Sequence, residues 1–153
     1  MTDLVKFCTM EDDKKAAYLT SLSNDEFTTM SDEALACVEV IDEVMPVYDE
    51  MRNREKKSEG FAVVLWRKLF PGAKAKAEAE YNNLKSKADA LIKNTDALSL
   101  KELIKIEEKT TAQSYPDVPT DSPAFIRVVL YRVKKSILHK SLIAEEIGKR
   151  YNI

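Results

Sequence analysis

The sequence predicts an all-α fold, a compact single-domain bundle of six or seven helices spanning residues 1–153. Three observations lead to this prediction. The chain contains only three glycines, whereas tight β-turns depend on glycine at positive φ. Its commonest residues are helix formers, and its β-branched residues do not gather into alternating runs. Side chains that can cap a helix N-terminus also recur along the chain.

Length and composition fit one intracellular domain. A chain of 153 residues, 44% of them hydrophobic and 33% charged, can bury one core beneath a well-charged surface. Its first residues lack the basic start and apolar run of a secretory signal. The longest apolar run, 61–66, falls far short of the ~20 residues that cross a bilayer. We therefore expect a cytoplasmic protein with no integral membrane association.

Six helix starts are predicted from side chains that can accept a hydrogen bond from first-turn amides. Three of these side chains precede a carboxylate by three residues, the spacing of a capping box. Another is followed by proline, which loses no hydrogen bond at the first helical position. The six predicted N-caps are Thr9, Ser23, Ser31, Ser58, Ser99 and Ser122.

Two helices are predicted between residues 31 and 70, and the second of them should form the core of the bundle. From Ser31 onward, apolar residues recur every three or four positions as far as Met45, the pattern of a single buried stripe. Pro46 follows, so we expect the next segment to be kinked or to begin afresh. The segment 61–70 is apolar on nearly all sides and should be a central helix. Trp66 would then lie in the core, with a place in an interface as the alternative.

The second half should contain three further helices. In the segment 74–93, apolar residues recur at alternating steps of four and three and form a narrow seam along one face. So short a seam favours packing in a bundle over a coiled coil, and it leaves the oligomeric state open. A helix is expected from Leu100 to about Ala112. Three prolines indicate a loop near 115–123. The last helix should run from Pro123 to at least Leu138, or as far as Arg150 with Gly148 as its C-terminal cap. The seam residues are Ala77, Tyr81, Leu84, Ala88 and Leu91.

No catalytic, cofactor or metal site is recognisable in the sequence. His139 is the single histidine, and Ser136, three positions before it, does not complete the Glu-x-x-His pair of a di-iron bundle. Glycine-rich phosphate loops are also missing. Cys8 and Cys37 have neither disulfide-framework nor metal-site spacing, so we expect reduced thiols, with Cys37 in the core. We predict no enzyme; one that works without histidine is the alternative.

Charge is divided between the two halves of the chain. Residues 1–55 carry five basic and fourteen acidic side chains, a net charge of −9, whereas residues 56–153 carry a net +7. Such a molecule can steer oppositely charged partners, or its halves can pack together and cancel. The acidic half therefore offers one candidate contact surface, centred on Asp32, Glu33, Glu39, Asp42 and Glu43.

The last helix offers the other candidate surface and is our preferred one. A turn of about 100° per residue places an apolar arc on one side and a basic, aromatic arc on the other. We therefore expect a protein-protein interaction module: an adaptor, an inhibitor or a small regulatory factor. Nucleic-acid binding by the basic half is the alternative, although a net charge of −2 and a pI near 5.6 disfavour duplex binding. The predicted partner-binding residues are Arg127, Tyr131, Lys134, Lys135 and His139.

Overall fold

The fold is a helical bundle, described by a computed structural model over residues 2–58, 68–69 and 71–152. These residues contain no strand, so the all-α prediction is confirmed. None of their helices is long and apolar enough to span a bilayer. The helices are α1 (Asp3–Thr9), α2 (Asp12–Ser21), α3 (Asn24–Ser58), α4 (Pro71–Lys93), α5 (Leu98–Ser114), α6 (Pro123–Ile137) and α7 (Leu142–Tyr151), with a 3-10 turn at His139–Ser141.

The predicted central helix 61–70, including Trp66, lies outside the described residues except at two positions. Lys68 and Leu69 are helical, and both side chains are exposed. The core that the structure does describe is built around α3.

Helix α3 is the axis of the bundle. Its 35 residues span about 52 Å at the helical rise, and it packs against α4 and α6 while also touching α1 and α5. The predicted apolar stripe is confirmed, and Cys37 is fully buried within it. The buried α3 side chains are Phe27, Met30, Ala34, Cys37, Ile41, Val44, Val47, Tyr48 and Met51.

Two of the predicted helix starts form as expected. The Ser23 amide donates to the Glu26 carboxylate at 3.0 Å, and the Glu26 amide donates to the Ser23 hydroxyl at 3.1 Å. This reciprocal capping box begins α3. At the start of α6 the Phe125 amide donates to the Ser122 hydroxyl at 3.2 Å, and Pro123 occupies the first turn. Both starts depend on contacts within one turn, which local sequence can specify.

Two predicted starts, at Thr9 and Ser31, are wrong. Thr9 ends α1, where its hydroxyl donates to the Val5 carbonyl at 2.8 Å. Ser31 lies inside α3, and its hydroxyl donates to the Phe27 carbonyl at 2.9 Å. A serine or threonine hydroxyl can bond a carbonyl four residues earlier as readily as it caps an amide. The same residue types therefore fit both a helix start and a helix interior.

The remaining predicted starts were Ser99 and Ser58. Helix α5 begins one residue before Ser99, with Ala97 at the N-cap, so this prediction is wrong. The Ser99 amide instead donates to the Glu33 carboxylate at 2.7 Å, and its hydroxyl bonds Thr2 at 2.7 Å. Ser58 ends α3, and the start predicted there falls on undescribed residues.

Pro46 does not end its helix, because α3 continues through it to Ser58. Of the two predicted alternatives, a kink or a fresh start, the fresh start is therefore wrong. Pro46 is exposed, whereas Val44, Val47 and Tyr48 beside it are buried. Core contacts on both sides of the proline hold the helix together despite the lost backbone hydrogen bond.

Helices α4 and α5 form in the predicted segments, although α4 begins three residues and α5 two residues earlier than predicted. All five seam residues of α4 are buried or half-buried, and the helix packs against α3. Helix α5 extends two residues beyond the predicted 100–112 at each end and buries Leu100 and Leu103. The proline-containing loop follows at 115–122.

The chain after α6 differs from the longer helix that was expected. Helix α6 ends at Ile137, and the helix resumes only at Leu142. Lys140 and Ser141 between them have φ of 47° and 55°. Gly148 lies inside α7 instead of capping it. The left-handed C-cap is Asn152, with φ of 55°.

Candidate functional site

A shallow depression of about 470 Å³ lies where α6 meets the 3-10 turn. Four of the five predicted partner-binding residues line it, and two residues that were not predicted complete it. Arg127, the fifth predicted residue, does not line it. The lining residues, hereafter the cationic surface, are Tyr131, Lys134, Lys135, Leu138, His139 and Lys140.

The buried side of α6 determines which side chains reach this surface. Its inward residues are Pro123 and Phe125 together with the apolar arc that the sequence predicted, which consists of Ile126, Val129, Leu130, Val133 and Ile137. With about 100° per residue, their burial turns the basic arc outward. The Tyr131 and Leu138 side chains are 56% and 52% exposed. The buried α6 residues are Pro123, Phe125, Val129, Leu130, Val133 and Ile137, and Ile126 is half-buried.

Two cations of the predicted set are already paired with α3. The Lys134 ammonium donates to the Asp42 carboxylate at 2.6 Å, and Arg127 forms an ion pair with Asp49. The acidic and basic halves therefore meet along the α3–α6 contact and partly neutralise each other. Asp42 and Glu33, both from the acidic candidate surface, are engaged in contacts within the chain.

His139 connects the cationic surface to α2. Its Nε2 lies 3.7 Å from an Asp12 carboxylate oxygen and is buried without a hydrogen-bond partner among the described residues. Asp12 also lies 3.2 Å from the ammonium of Lys15, a side chain only 4% exposed. The hydrogen bond and charge of Lys15, followed by the charges of His139 and Lys140, hold the pKa of Asp12 below its ordinary value. Asp12 is therefore a carboxylate at neutral pH.

Two lysines of the cationic surface have no such partner. Lys135 and Lys140 are exposed, and neither forms a hydrogen bond or an ion pair within the described part of the chain; the charge of Lys140 acts on Asp12 only at a longer range. They stand beside the exposed Tyr131 ring and the Leu138 side chain. Ammonium groups next to exposed aromatic and aliphatic carbon suit a partner that carries both carboxylates and apolar side chains.

Sequence reasoning missed Leu138 and Lys140. Leu138 follows Tyr131 by seven residues, which turn through about 700°, so helical periodicity already places it about 20° from Tyr131 and could have identified it. Lys140 is different. An uninterrupted helix would place Lys140 about 180° from Tyr131, since nine residues turn through about 900°. The bend at 139–141 instead brings Lys140 to the same depression as Tyr131. No local sequence signal marks this bend, because neither Lys140 nor Ser141 is a residue that favours positive φ.

A second, smaller cavity of about 170 Å³ lies between α1, α5 and α6, with Cys8 on its wall. Burial raises the pKa of the Cys8 thiol to about 12, and burial likewise raises the pKa of Cys37 to about 12. Both thiols are free and protonated at neutral pH, so neither is an activated nucleophile. Among the described residues, no group of three or more histidine, cysteine or acidic side chains could hold a metal ion.

These thiols should make the folded state less stable in alkali. The folded chain holds both protons up to a pKa near 12, against 9.0 for an ordinary thiol. The stabilisation that these two protonated thiols give to the folded state is complete below pH 9 and is lost as the pH rises from 9 to 12. We expect the free energy of unfolding, measured in urea, to decline across this range. A chain with both Cys8→Ala and Cys37→Ala should decline less steeply; equal slopes would contradict the assignment.

The comparisons with known proteins add no relative. No protein-family model, no curated protein and no solved structure gives a significant match to this chain.

Proposed function

We propose that this chain is a non-enzymatic protein-protein interaction module, an adaptor, inhibitor or regulatory factor, that binds an acidic protein segment through its cationic surface. One observation carries the proposal. The unpaired ammonium groups of Lys135 and Lys140 border the exposed side chains of Tyr131 and Leu138. Tyrosine is among the residues enriched at interaction hot spots, and the two ammonium groups beside it give charge complementarity to an acidic partner.

The neighbouring carboxylates favour a protein partner over a nucleic acid. Polyanion binding needs several cations in a row, because affinity depends on how many phosphates are neutralised. Here Lys134 and Arg127 are neutralised by Asp42 and Asp49, and Asp12 lies beside His139. These carboxylates would repel a continuous phosphate backbone. A short acidic segment needs only the two unpaired lysines.

Charge reversal on the cationic surface tests the proposal. The probe is a fluorescein-labelled, glutamate-rich peptide that contains leucine, titrated by anisotropy at low salt. Lys135→Glu combined with Lys140→Glu should weaken binding about tenfold, since two attractive contacts become repulsive. Tyr131→Ala should weaken it about fivefold through lost apolar contact.

Lys85→Glu is the matched control, because Lys85 is an exposed lysine on α4, away from this surface. It should leave the peptide affinity nearly unchanged. Its partner in the comparison is the single reversal Lys135→Glu, which changes the net charge by the same amount and should weaken binding. Equal weakening by Lys85→Glu and Lys135→Glu would show only a general charge effect and would refute the proposed site. A single-stranded DNA oligonucleotide that binds more tightly than the peptide, with a steep salt dependence, would favour the nucleic-acid alternative.

A further inference from the structure

The junction between α6 and α7 is bent at two residues for which the bend is unfavourable. Lys140 and Ser141 both lie in the left-handed region, at φ 47° and 55°, where a Cβ atom is crowded. Ser141 also provides no side-chain cap for α7. No glycine or proline occurs between Ala124 and Ile147. The local sequence is therefore compatible with one uninterrupted helix, so contacts elsewhere must hold the bend.

Arg150, in the last turn of α7, makes those contacts. Its guanidinium donates to two carbonyls at the C-terminal end of α2: the Leu19 carbonyl, which also accepts from the Leu22 amide, and the carbonyl of the C-cap Leu22. It also stacks 4.5 Å from the centre of an aromatic ring of α3, and its side chain is only 13% exposed. The partners of Arg150 are the carbonyls of Leu19 and Leu22 at 2.8 and 2.7 Å, Asn24 Oδ1 at 2.9 Å, Glu146 Oε1 at 2.8 Å and the Phe27 ring.

The bend also builds the cationic surface. Tyr131 on α6 and Lys140 in the 3-10 turn line the same depression only because the helix is interrupted between them. If α6 and α7 joined into one helix, the Lys140 side chain would move to about the opposite side from Tyr131. One of the two unpaired ammonium groups would then leave the surface.

We infer that the docking of α7 controls the cationic surface. With Arg150 seated between α2 and α3, the junction is bent and both unpaired lysines face the partner. When α7 leaves its seat, the junction straightens and the surface loses Lys140. An acidic segment that needs both lysines binds the docked form and in turn holds α7 in place, since coupling between two sites is reciprocal. This inference rests on the proposed function and concerns the regulation of the same site.

Arg150→Lys tests the coupling without changing the net charge. Lysine keeps the positive charge but loses the planar fork that reaches several acceptors. We expect faster hydrogen exchange at the amides of 142–151 and an affinity for the glutamate-rich peptide about tenfold lower, in proportion to the lost docked fraction. Lys149→Ala is the control: it removes an exposed charge from the adjacent position and should change neither measurement.

Two substitutions at Ser141 test the bend itself, outside the lining of the depression. Ser141→Gly relieves the Cβ crowding and, added to Arg150→Lys, should recover most of the affinity. Ser141→Val should lower the affinity about tenfold in the otherwise unchanged chain, because a branched side chain tolerates positive φ poorly. These variants keep every side chain of the cationic surface.

The possible failures are distinguishable. Faster exchange of α7 in Arg150→Lys with unchanged peptide affinity would refute the coupling while leaving the cationic surface intact. Unchanged exchange in the same variant would refute the role of Arg150. Peptide binding that does not respond to the double lysine reversal would refute the proposed function, whatever the exchange pattern of α7.

Discussion

Phe27→Ala is expected to destabilise the protein by about 3–5 kcal/mol, the usual cost of removing a buried aromatic ring. Phe27 is 1% exposed and lies in the first turn of α3, where the Arg150 guanidinium stacks on its ring. Truncation leaves a cavity at the α2–α3 junction and also removes the surface against which α7 docks. Denaturant unfolding followed by far-UV circular dichroism measures the loss.

Leu35→Ala is the matched control on the same helix. Its side chain is 59% exposed, so the change should cost about 0.5 kcal/mol or less. A loss for Phe27→Ala no larger than that for Leu35→Ala would mean that α3 does not bury this ring in solution. A loss confined to faster exchange in α7 would place Phe27 in the docking of that helix and not in the core.

The second large effect should be a gain in stability. Pro46→Ala is expected to raise the free energy of unfolding by about 1–3 kcal/mol, because proline inside a helix costs about 3 kcal/mol relative to alanine. The proline is exposed, so alanine leaves no cavity, and its amide can donate to the Asp42 carbonyl one turn earlier. The greater entropy of the unfolded chain without proline offsets part of this gain.

Pro116→Ala provides the comparison for this substitution. Pro116 is exposed in the loop between α5 and α6, where no helical hydrogen bond can be recovered. Only the greater entropy of the unfolded chain remains, so the free energy of unfolding of this variant should fall by about 0.4–1 kcal/mol. If Pro46→Ala also lost stability, the new amide would not be forming the hydrogen bond to the Asp42 carbonyl, and only the greater entropy of the unfolded chain would remain. Thermal melts and urea titrations of both variants decide between these outcomes.

Sequence patterns predicted the parts of this fold that depend on neighbouring residues. The capping box of Ser23 with Glu26 and the cap at Ser122 involve atoms within one turn, so their spacing identifies them. The start at Ser99 was misplaced because its amide bonds Glu33, far away in the chain. The power of Pro46 to end the helix was overestimated, because the packing of buried side chains on both sides of it stabilises the helix by more than one lost hydrogen bond costs.

The candidate site was predicted only in part, because its position also depends on more than neighbouring residues. Helical periodicity grouped Tyr131, Lys134, Lys135 and His139, and the structure places them around one depression. Helical periodicity placed Arg127 on the same face, but Arg127 lies closer to the N-terminus of α6 and forms an ion pair with Asp49. Lys140 could not be placed, since its position follows from a left-handed bend that Arg150 holds from the other end of α7.

The hydrogen bonds at Ser99 bear on how the chain acquires its shape. Thr2 and Glu33 both bond this residue, at separations of 97 and 66 positions. Helix α1, whose apolar side chains include Leu4 and Phe7, packs against α5 and α6, so its packing is not complete until both of these later helices have left the ribosome. Closing so long a loop is slow. During that interval α1 is open to a chaperone, or to a fusion partner that an experimenter has attached at the N-terminus. Either would compete directly with α5 for contact with α1.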